Sequence, residues 1–350
     1  MFNYLLIPGF IYFIYKLIII WRNNKKIYPK ISYDTIIKPP DDIMLCNIDM
    51  NHIIMNKNIT DINNIYSTNN LLFDSIYSNY FINNFCVTVL ANKTNVKNCI
   101  YIPGNNDYFY NYKLGKDLYD KGYNFYAISF PNFGFVSNTM NKDHSTFDSI
   151  PDLYQYITNT IEYFNINSID IMIGHSTGAL ISTCFADHIK NTSIPVKKLL
   201  LSSPLFDFPN NKLLIHYVVT YIAIIFPKLN MKSDAMQPNN TTIVEFNMMN
   251  FNPKYKALFE TYTYAQWLRT CSIQMKRIHN NNINTNCDVI MLCSNKSDIG
   301  TYTTTADNVL DTKDMLLHIN KITSKNVAIH IIKDSTHNTL LHINNINDYL

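Results

Sequence analysis

Short, uninterrupted apolar segments alternate with amphipathic segments from residue 99 onward. The amphipathic segments predict helices at 110–121, 150–164 and 177–190. Strands that are apolar at every position are typical of a parallel sheet covered on both faces, and alternation with helices indicates a doubly wound α/β fold. Six apolar segments predict the strands of this sheet: 99–102, 123–130, 169–173, 196–201, 288–293 and 327–332.

Two segments depart from this alternation. Residues 71–97 alternate in polarity and are rich in β-branched and aromatic residues, which predicts an antiparallel strand pair. Residues 205–285 contain an apolar run at 213–226 that ends at Pro227 and is too short to span a bilayer comfortably. We expect a buried or lid helix there, within a cap inserted over the carboxyl edge of the sheet, where ligands bind in such folds. One large domain, 71–350, would then carry the cap.

The N-terminal segment is a candidate membrane anchor. Residues 4–21 form an apolar stretch of near-spanning length, with Lys16 close enough to one end to snorkel. The positive charges at 22–26 predict a cytosolic domain after a single-pass anchor at 1–26, with 27–70 as linker and irregular leading structure. A core or interfacial helix packed on the domain is the alternative. A signal peptide is disfavoured because no basic segment precedes the stretch and no small-residue cleavage site follows it.

Composition narrows the function classes. The chain has 350 residues, of which 47% are hydrophobic and 16% charged, with a net charge of +3. That charge is too small for an electrostatic nucleic-acid binder. Seven scattered cysteines without a CxxC pair indicate reduced thiols in an intracellular protein, and they predict no metal site. The 49 asparagines suggest codon bias, whereas with only 8 glycines any well-spaced glycine pair is informative.

The sharpest motif is Gly174-His175-Ser176-Thr177-Gly178, which follows a predicted strand and opens a predicted helix. This is the context of a G-x-S-x-G nucleophile elbow, in which a strained turn projects the serine hydroxyl above the sheet. Crowding around the serine requires small residues two positions before and after it. Gly174 and Gly178 meet that requirement, and Ser176 is therefore the candidate nucleophile.

A serine hydroxyl needs a base, which in this architecture is a histidine late in the chain. His337 follows the last predicted strand in a loop that can reach the serine, and we favour it. His342 lies about one helical turn further on and is the alternative. His330 falls inside a strand and His318 inside a helix remote from a strand end, so both are less suitable.

The acid that orients the base should follow the strand at 288–293. Asp307 is favoured because the apolar Val309 and Leu310 behind it can anchor its loop. Asp298, which is closer to the strand end, and Asp311 remain open alternatives at this stage.

The oxyanion hole needs two backbone amides. One is that of Thr177, the residue after the nucleophile. The second is expected from the loop 103–107, and Asn105 is the choice because Gly104 lets the backbone turn that amide inward. Neither a metal nor an organic cofactor is needed for this chemistry.

These residues carry a resemblance to the α/β-hydrolase superfamily, within it to the serine aminopeptidase-like and monoacylglycerol lipase-like branch. The resemblance spans about 70–345. Pro103 stands where the family commonly has histidine, and the loop 131–138 retains only Gly134 of the usual Arg-Gly pattern. The matching stretches are YIPGNNDYFYNY (101–112), the GHSTGA turn, WLRTCSIQMKRIH (267–279), ADNVLD (306–311) and the late His337. The resemblance implies a serine hydrolase that acts on esters, often lipidic ones.

The leading hypothesis is therefore an ester hydrolase that works through an acyl-enzyme, with Ser176, His337 and Asp307 as a triad. The apolar cap and the candidate anchor suggest a membrane lipid substrate such as monoacylglycerol or lysophospholipid. A serine peptidase is an alternative, although an apolar cap favours lipids. A catalytically silent fold used as a membrane-tethered binding protein is another, and the intact series of serine, acid and histidine argues against it.

Overall fold

The computed structural model describes residues 77–92, 94–137, 139, 141–232 and 237–350. The predicted anchor at 1–26 and the linker at 27–70 lie outside these residues. Within the described ranges, no helix combines the length and the apolar character needed to cross a membrane.

A single eight-stranded sheet organises the described residues. Its order is β1-β2-β4-β3-β5-β6-β7-β8, with β1, β2 and β4 paired antiparallel and all other neighbours parallel. The predicted antiparallel pair is confirmed over the shorter range 78–90, and the six predicted strands are confirmed with ends shifted by at most two residues. The strands are β1 Ser78–Ile82, β2 Phe85–Leu90, β3 Lys97–Ile102, β4 Tyr123–Ser129, β5 Ile171–His175, β6 Lys198–Ser202, β7 Asp288–Ser294 and β8 Val327–Ile332.

Successive residues of the central strands enter two different apolar layers, which is why these strands have no polar face. Ile100 and Met172 lie in the larger layer, whereas their neighbours Tyr101 and Ile171 lie in the smaller one. The helices that cover the sheet are α1 Tyr112–Tyr119, α2 Ile150–Tyr163, α3 Thr177–Ile189, α6 Ala265–His279 and α7 Thr312–Ile319.

The edge strand β8 differs from the expectation of burial on both faces. Val327, Ile329 and Ile331 are 40%, 38% and 56% exposed. The expectation was wrong for this strand, since these three alternate residues share one face of the edge strand and that face is not covered by described residues. An apolar run by itself does not reveal where a strand lies in the sheet.

The segment between β6 and β7 forms the predicted cap. Its apolar run is helical over residues 212–225 (α4), with a π-helical turn at Ile215–Val219, and α5 follows at Asn240–Met249. Val219 and Ala223 of α4 are buried, whereas the opposite side of the helix is apolar and exposed. Helix α6, also inside the predicted cap boundaries, instead packs into the larger layer of the sheet.

Asparagine takes the left-handed backbone positions of many turns. Twelve described non-glycine residues have positive φ, and only three glycines do. Asparagine tolerates this conformation better than other residues with a side chain. The asparagine excess, treated above as codon bias alone, therefore has a structural use. Eight of the twelve are asparagines: Asn83, Asn106, Asn132, Asn165, Asn211, Asn250, Asn281 and Asn286.

Candidate active site

Ser176 occupies a strained turn between β5 and α3. Its backbone lies at φ 53° and ψ −118°, a conformation that residues with a side chain rarely adopt. A Cβ at Gly174 would lie 2.5 Å from Ala179 Cα, and a Cβ at Gly178 would overlap the carbonyl oxygen of Ile102. Both glycines are thus required for the chain to turn here.

His337 and Asp307 lie together on loops beyond β8 and β7. The Nδ1 atom of His337 is 3.0 Å from Asp307 Oδ2 and 3.1 Å from Oδ1. Asp307 is completely buried, and its Oδ1 also accepts hydrogen bonds from the amides of Val309 (2.9 Å) and Leu310 (2.8 Å). The apolar pair that favoured Asp307 in the sequence therefore anchors the loop through its backbone.

The pair lies beside the Ser176 turn. The His337 ring centroid is 5.0 Å from that of His175, the residue before the serine. No direct hydrogen bond joins Ser176 Oγ to His337 Nε2 in the part of the chain that the structure describes. Such bonds are often long in empty sites and tighten when substrate binds.

The side chains of the alternative acids and histidines have other surroundings, although the Asp298 amide donates to the Asp307 carbonyl at 2.8 Å. Asp298 is exposed, and Asp311 caps α7 by accepting a hydrogen bond from the Lys313 amide at 2.9 Å. His342 Nε2 lies 2.8 Å from Thr336 Oγ1, and His330 packs against Tyr349 from within β8. His318 is buried in a separate cluster, described below.

The electrostatic environment suits His337 as a proton acceptor. Burial by itself lowers the pKa of His337, but the Asp307 carboxylate outweighs burial and the pKa is raised. Burial, the charged form of His337 and Lys256 together hold the pKa of His175 well below its usual range. His175 therefore stays neutral while His337 can take a proton.

Two backbone amides are available near the serine. The loop after β3 passes close to it, since a Cβ at Gly104 would lie 3.1 Å from Ser176 Cβ. No described residue accepts a hydrogen bond from the Asn105 amide, and Thr177 lies in the first turn of α3, where amides have no partner within the helix. The structure thus brings the predicted donors, Asn105 and Thr177, to the nucleophile turn.

A buried charged network next to this loop escaped the sequence reasoning. Lys256 Nζ lies 2.8 Å from Asp107 Oδ1 and 2.5 Å from Glu245 Oε2, and all three residues are at most 3% exposed. Tyr110 donates to Glu245 at 3.2 Å and accepts from Asn338 Nδ2 at 3.2 Å. Lysine and glutamate are mostly exposed in folded proteins, so only the presence of Asp107 in the loop 103–107 pointed to this place.

One group of side chains has the composition of a metal site. Single ligand atoms of Asp207, His279 and His318 lie within 4.8 Å of one another. The rings of His279 and His318 stack at 3.9 Å with 16° between their planes. Their nitrogen lone pairs therefore lie in nearly parallel planes and do not converge on one ion as a tetrahedral centre requires.

Most of this chain matches a known protein family. A family model described as the alpha/beta hydrolase fold matches residues 100–339, a range that includes Ser176, Asp307 and His337. The chain belongs to the α/β-hydrolase family. The resemblance inferred from its motifs is thereby confirmed at the level of the family. No curated protein matches this α/β-hydrolase in sequence.

Solved structures share the fold at low identity. Monoacylglycerol lipase of Paleococcus ferrophilus is 15% identical with a TM-score of 0.53, over 75% of this chain and 91% of that one. DcsB, solved with its substrate analogue, is 13% identical with a TM-score of 0.54, over 76% and 93%. A soluble variant of monoglyceride lipase from Saccharomyces cerevisiae is 13% identical with a TM-score of 0.49, over 73% and 86%.

Proposed function

We propose that this α/β-hydrolase is a serine ester hydrolase. The observation that carries the proposal is the buried Asp307–His337 pair beside a serine held at φ 53° between a strand and a helix. A base oriented by an acid, next to a serine on a strained turn and two backbone amides, is the arrangement that acyl transfer requires.

In the proposed reaction, Ser176 Oγ attacks the ester carbonyl while His337 Nε2 takes the hydroxyl proton. The Asn105 and Thr177 amides donate to the oxyanion, and Asp307 stabilises the imidazolium. Collapse of the tetrahedral intermediate releases the alcohol, which receives the proton from His337. Water, deprotonated by His337, then attacks the acyl-enzyme and releases the carboxylic acid, and Ser176 regains its proton.

A lipid ester is the substrate class that we favour. The side of α4 away from the core presents contiguous apolar side chains to solvent, and such patches mark lipid or protein contact. The monoacylglycerol lipase with the same fold supports this class of substrate. Membrane attachment through residues 4–21 stays a prediction. The exposed apolar residues of α4 are Leu213, Tyr217, Tyr221, Ile224 and Ile225.

Labelling with a fluorophosphonate probe tests the serine mechanism. We expect wild-type protein to be labelled and the Ser176→Ala variant to be unlabelled, with activity lower by about 10⁴-fold or more. Ser203→Ala is a matched control, because Ser203 is also buried with positive φ but follows β6. An unlabelled wild type would favour a silent binding protein and overturn the proposal.

A substrate panel tests the substrate class. Wild type and the Ser176→Ala variant are compared on 1-monoacylglycerols, lysophosphatidylcholine, short p-nitrophenyl esters and peptide amides. Higher kcat/KM for the long-chain lipid esters is expected. Cleavage restricted to short soluble esters would refute the lipid assignment, and cleavage of peptides alone would identify a peptidase.

A further inference from the structure

The loop 103–107 is held by the cap through two adjacent pairs of residues. In the first, Asn106 Nδ2 donates to the carbonyl of Ala257 at 2.9 Å, and the Ala257 amide donates to Asn106 Oδ1 at 2.9 Å. Both residues are buried. Asn106 thus binds the backbone N–H and C=O of one cap residue with both ends of its side-chain amide, directly after Asn105.

In the second pair, Lys256 of the cap contacts Asp107 of the loop. Its ammonium bridges Asp107 and Glu245, so it ties the loop to α5 as well as to its own segment. Removing one member of such a buried group leaves an uncompensated charge, and a seated cap is therefore needed to keep all three charges satisfied.

We propose that Asn106 and Lys256 are positioning residues that keep the Asn105 amide directed at the oxyanion, so that the oxyanion hole is complete only when the cap is seated. Neither residue reaches the reacting atoms itself. The proposal rests on the proposed function, because it assigns a purpose to an amide that only acyl transfer would use.

The charged groups of this network also change the pKa of the base, His337. The groups that influence the pKa of His337 are Asp307 and Glu245, which raise it, and Lys256, which lowers it. The adjacent His175 stays neutral. Burial raises the pKa of Asp107 to about 6 even though Lys256 opposes this. Lys256 and Glu245 should therefore move the pH dependence of the reaction in opposite directions when each is neutralised.

The first test compares Asn106→Gly with Asn281→Gly. Both asparagines have left-handed backbones, at φ 50° and φ 56°, and glycine keeps that conformation in each. Asn106→Gly removes the contacts with Ala257 and with His144 Nε2 (3.1 Å), whereas Asn281 is exposed. We expect Asn106→Gly to lower kcat on a p-nitrophenyl ester by roughly 10- to 100-fold with KM little changed, the cost of a displaced catalytic group, and Asn281→Gly to match wild type.

The second test follows kcat/KM against pH for Lys256→Met and Glu245→Gln. The rate falls on the acid side as His337 gains a proton. Lys256→Met should move that limb to higher pH and Glu245→Gln to lower pH. Lys228→Met, in the same cap but exposed, should leave the limb in place. If Lys256→Met does not fold, the acid limb of Glu245→Gln and the kcat of Asn106→Gly test the inference.

Rates are expressed per active site titrated with the fluorophosphonate. The inference is overturned if Asn106→Gly keeps the wild-type kcat per titrated site, or if the two charge variants leave the acid limb unmoved or move it in the same direction. An unlabelled wild type is a different result, since it would refute the proposed function before the positioning residues are tested.

Discussion

Asp307→Asn should abolish most activity while leaving the fold intact. Oδ1 of Asp307 accepts from the amides of Val309 and Leu310, so in the asparagine variant the carbonyl oxygen must take that place. The amide nitrogen then occupies the Oδ2 position, 3.0 Å from His337 Nδ1. Because that nitrogen is a donor, Nδ1 must accept, and the ring proton is forced onto Nε2, where no proton from Ser176 can be received.

The size of the effect follows from this tautomer. Loss of the oriented base and of the carboxylate charge should lower kcat by about 10⁴-fold. Both amide contacts of the loop survive in Asp307→Asn, so we expect its Tm to stay near that of wild type. Asp307→Ala loses both contacts to a charged acceptor, worth roughly 1.5–3 kcal/mol each, and should be inactive and clearly less stable.

Steady-state kinetics on a p-nitrophenyl ester and thermal unfolding of the three proteins provide the assay. Asp298→Asn is the matched control, since Asp298 is exposed, and it should retain wild-type rates. Activity of Asp307→Asn within tenfold of wild type, or a large loss in Asp298→Asn, would refute the assignment of the acid.

Two further predictions concern the turn and the polar cluster around Asp207. Gly178→Ala should give protein that is unlabelled by fluorophosphonate or fails to fold, because the new Cβ would overlap the Ile102 carbonyl; normal labelling and Tm would show that the turn can shift. Burial alone would raise the pKa of Asp207, but the imidazoles of His216 and His318 hold it well below its usual range. Its contribution to stability is therefore present above its unfolded pKa of about 3.9 and is lost as pH falls below that value. Asp207→Asn should lower the free energy of unfolding by roughly 1.5–3 kcal/mol at pH 7, with a smaller difference in urea titrations at pH 3, and an equal difference at both pH values would contradict this.

The sheet was predictable from the sequence because its central strands are buried on both faces. Such strands have no polar positions to obscure them, so β3 to β7 stand out as apolar runs. For β8 the same apolar pattern gave a wrong prediction of burial, because Ile329 and Ile331 are apolar yet exposed at the sheet edge. Position within a sheet depends on pairing with other strands, which local sequence does not encode.

The parts of the candidate site that depend on the spacing of residues along the chain were predictable from the sequence. Gly174 and Gly178 locate the turn, whereas the choice among Asp298, Asp307 and Asp311 stayed open because it depends on the path of a loop. The structure brings only Asp307 of the three to His337. The burial of Lys256 could not be predicted from the sequence, since it depends on Asp107, which is 149 residues away in the loop, and on Glu245 of α5.

The left-handed asparagines bear on how this chain should be compared with others. At these eight positions asparagine has positive φ, a conformation for which many proteins use glycine and which glycine adopts without strain. An alignment that scores asparagine against glycine as a mismatch will therefore penalise the turns of this chain even where the backbone is the same. Treating the two residues as equivalent at positive φ would let loops be aligned by conformation, and it would make distant relatives with a different codon usage easier to detect.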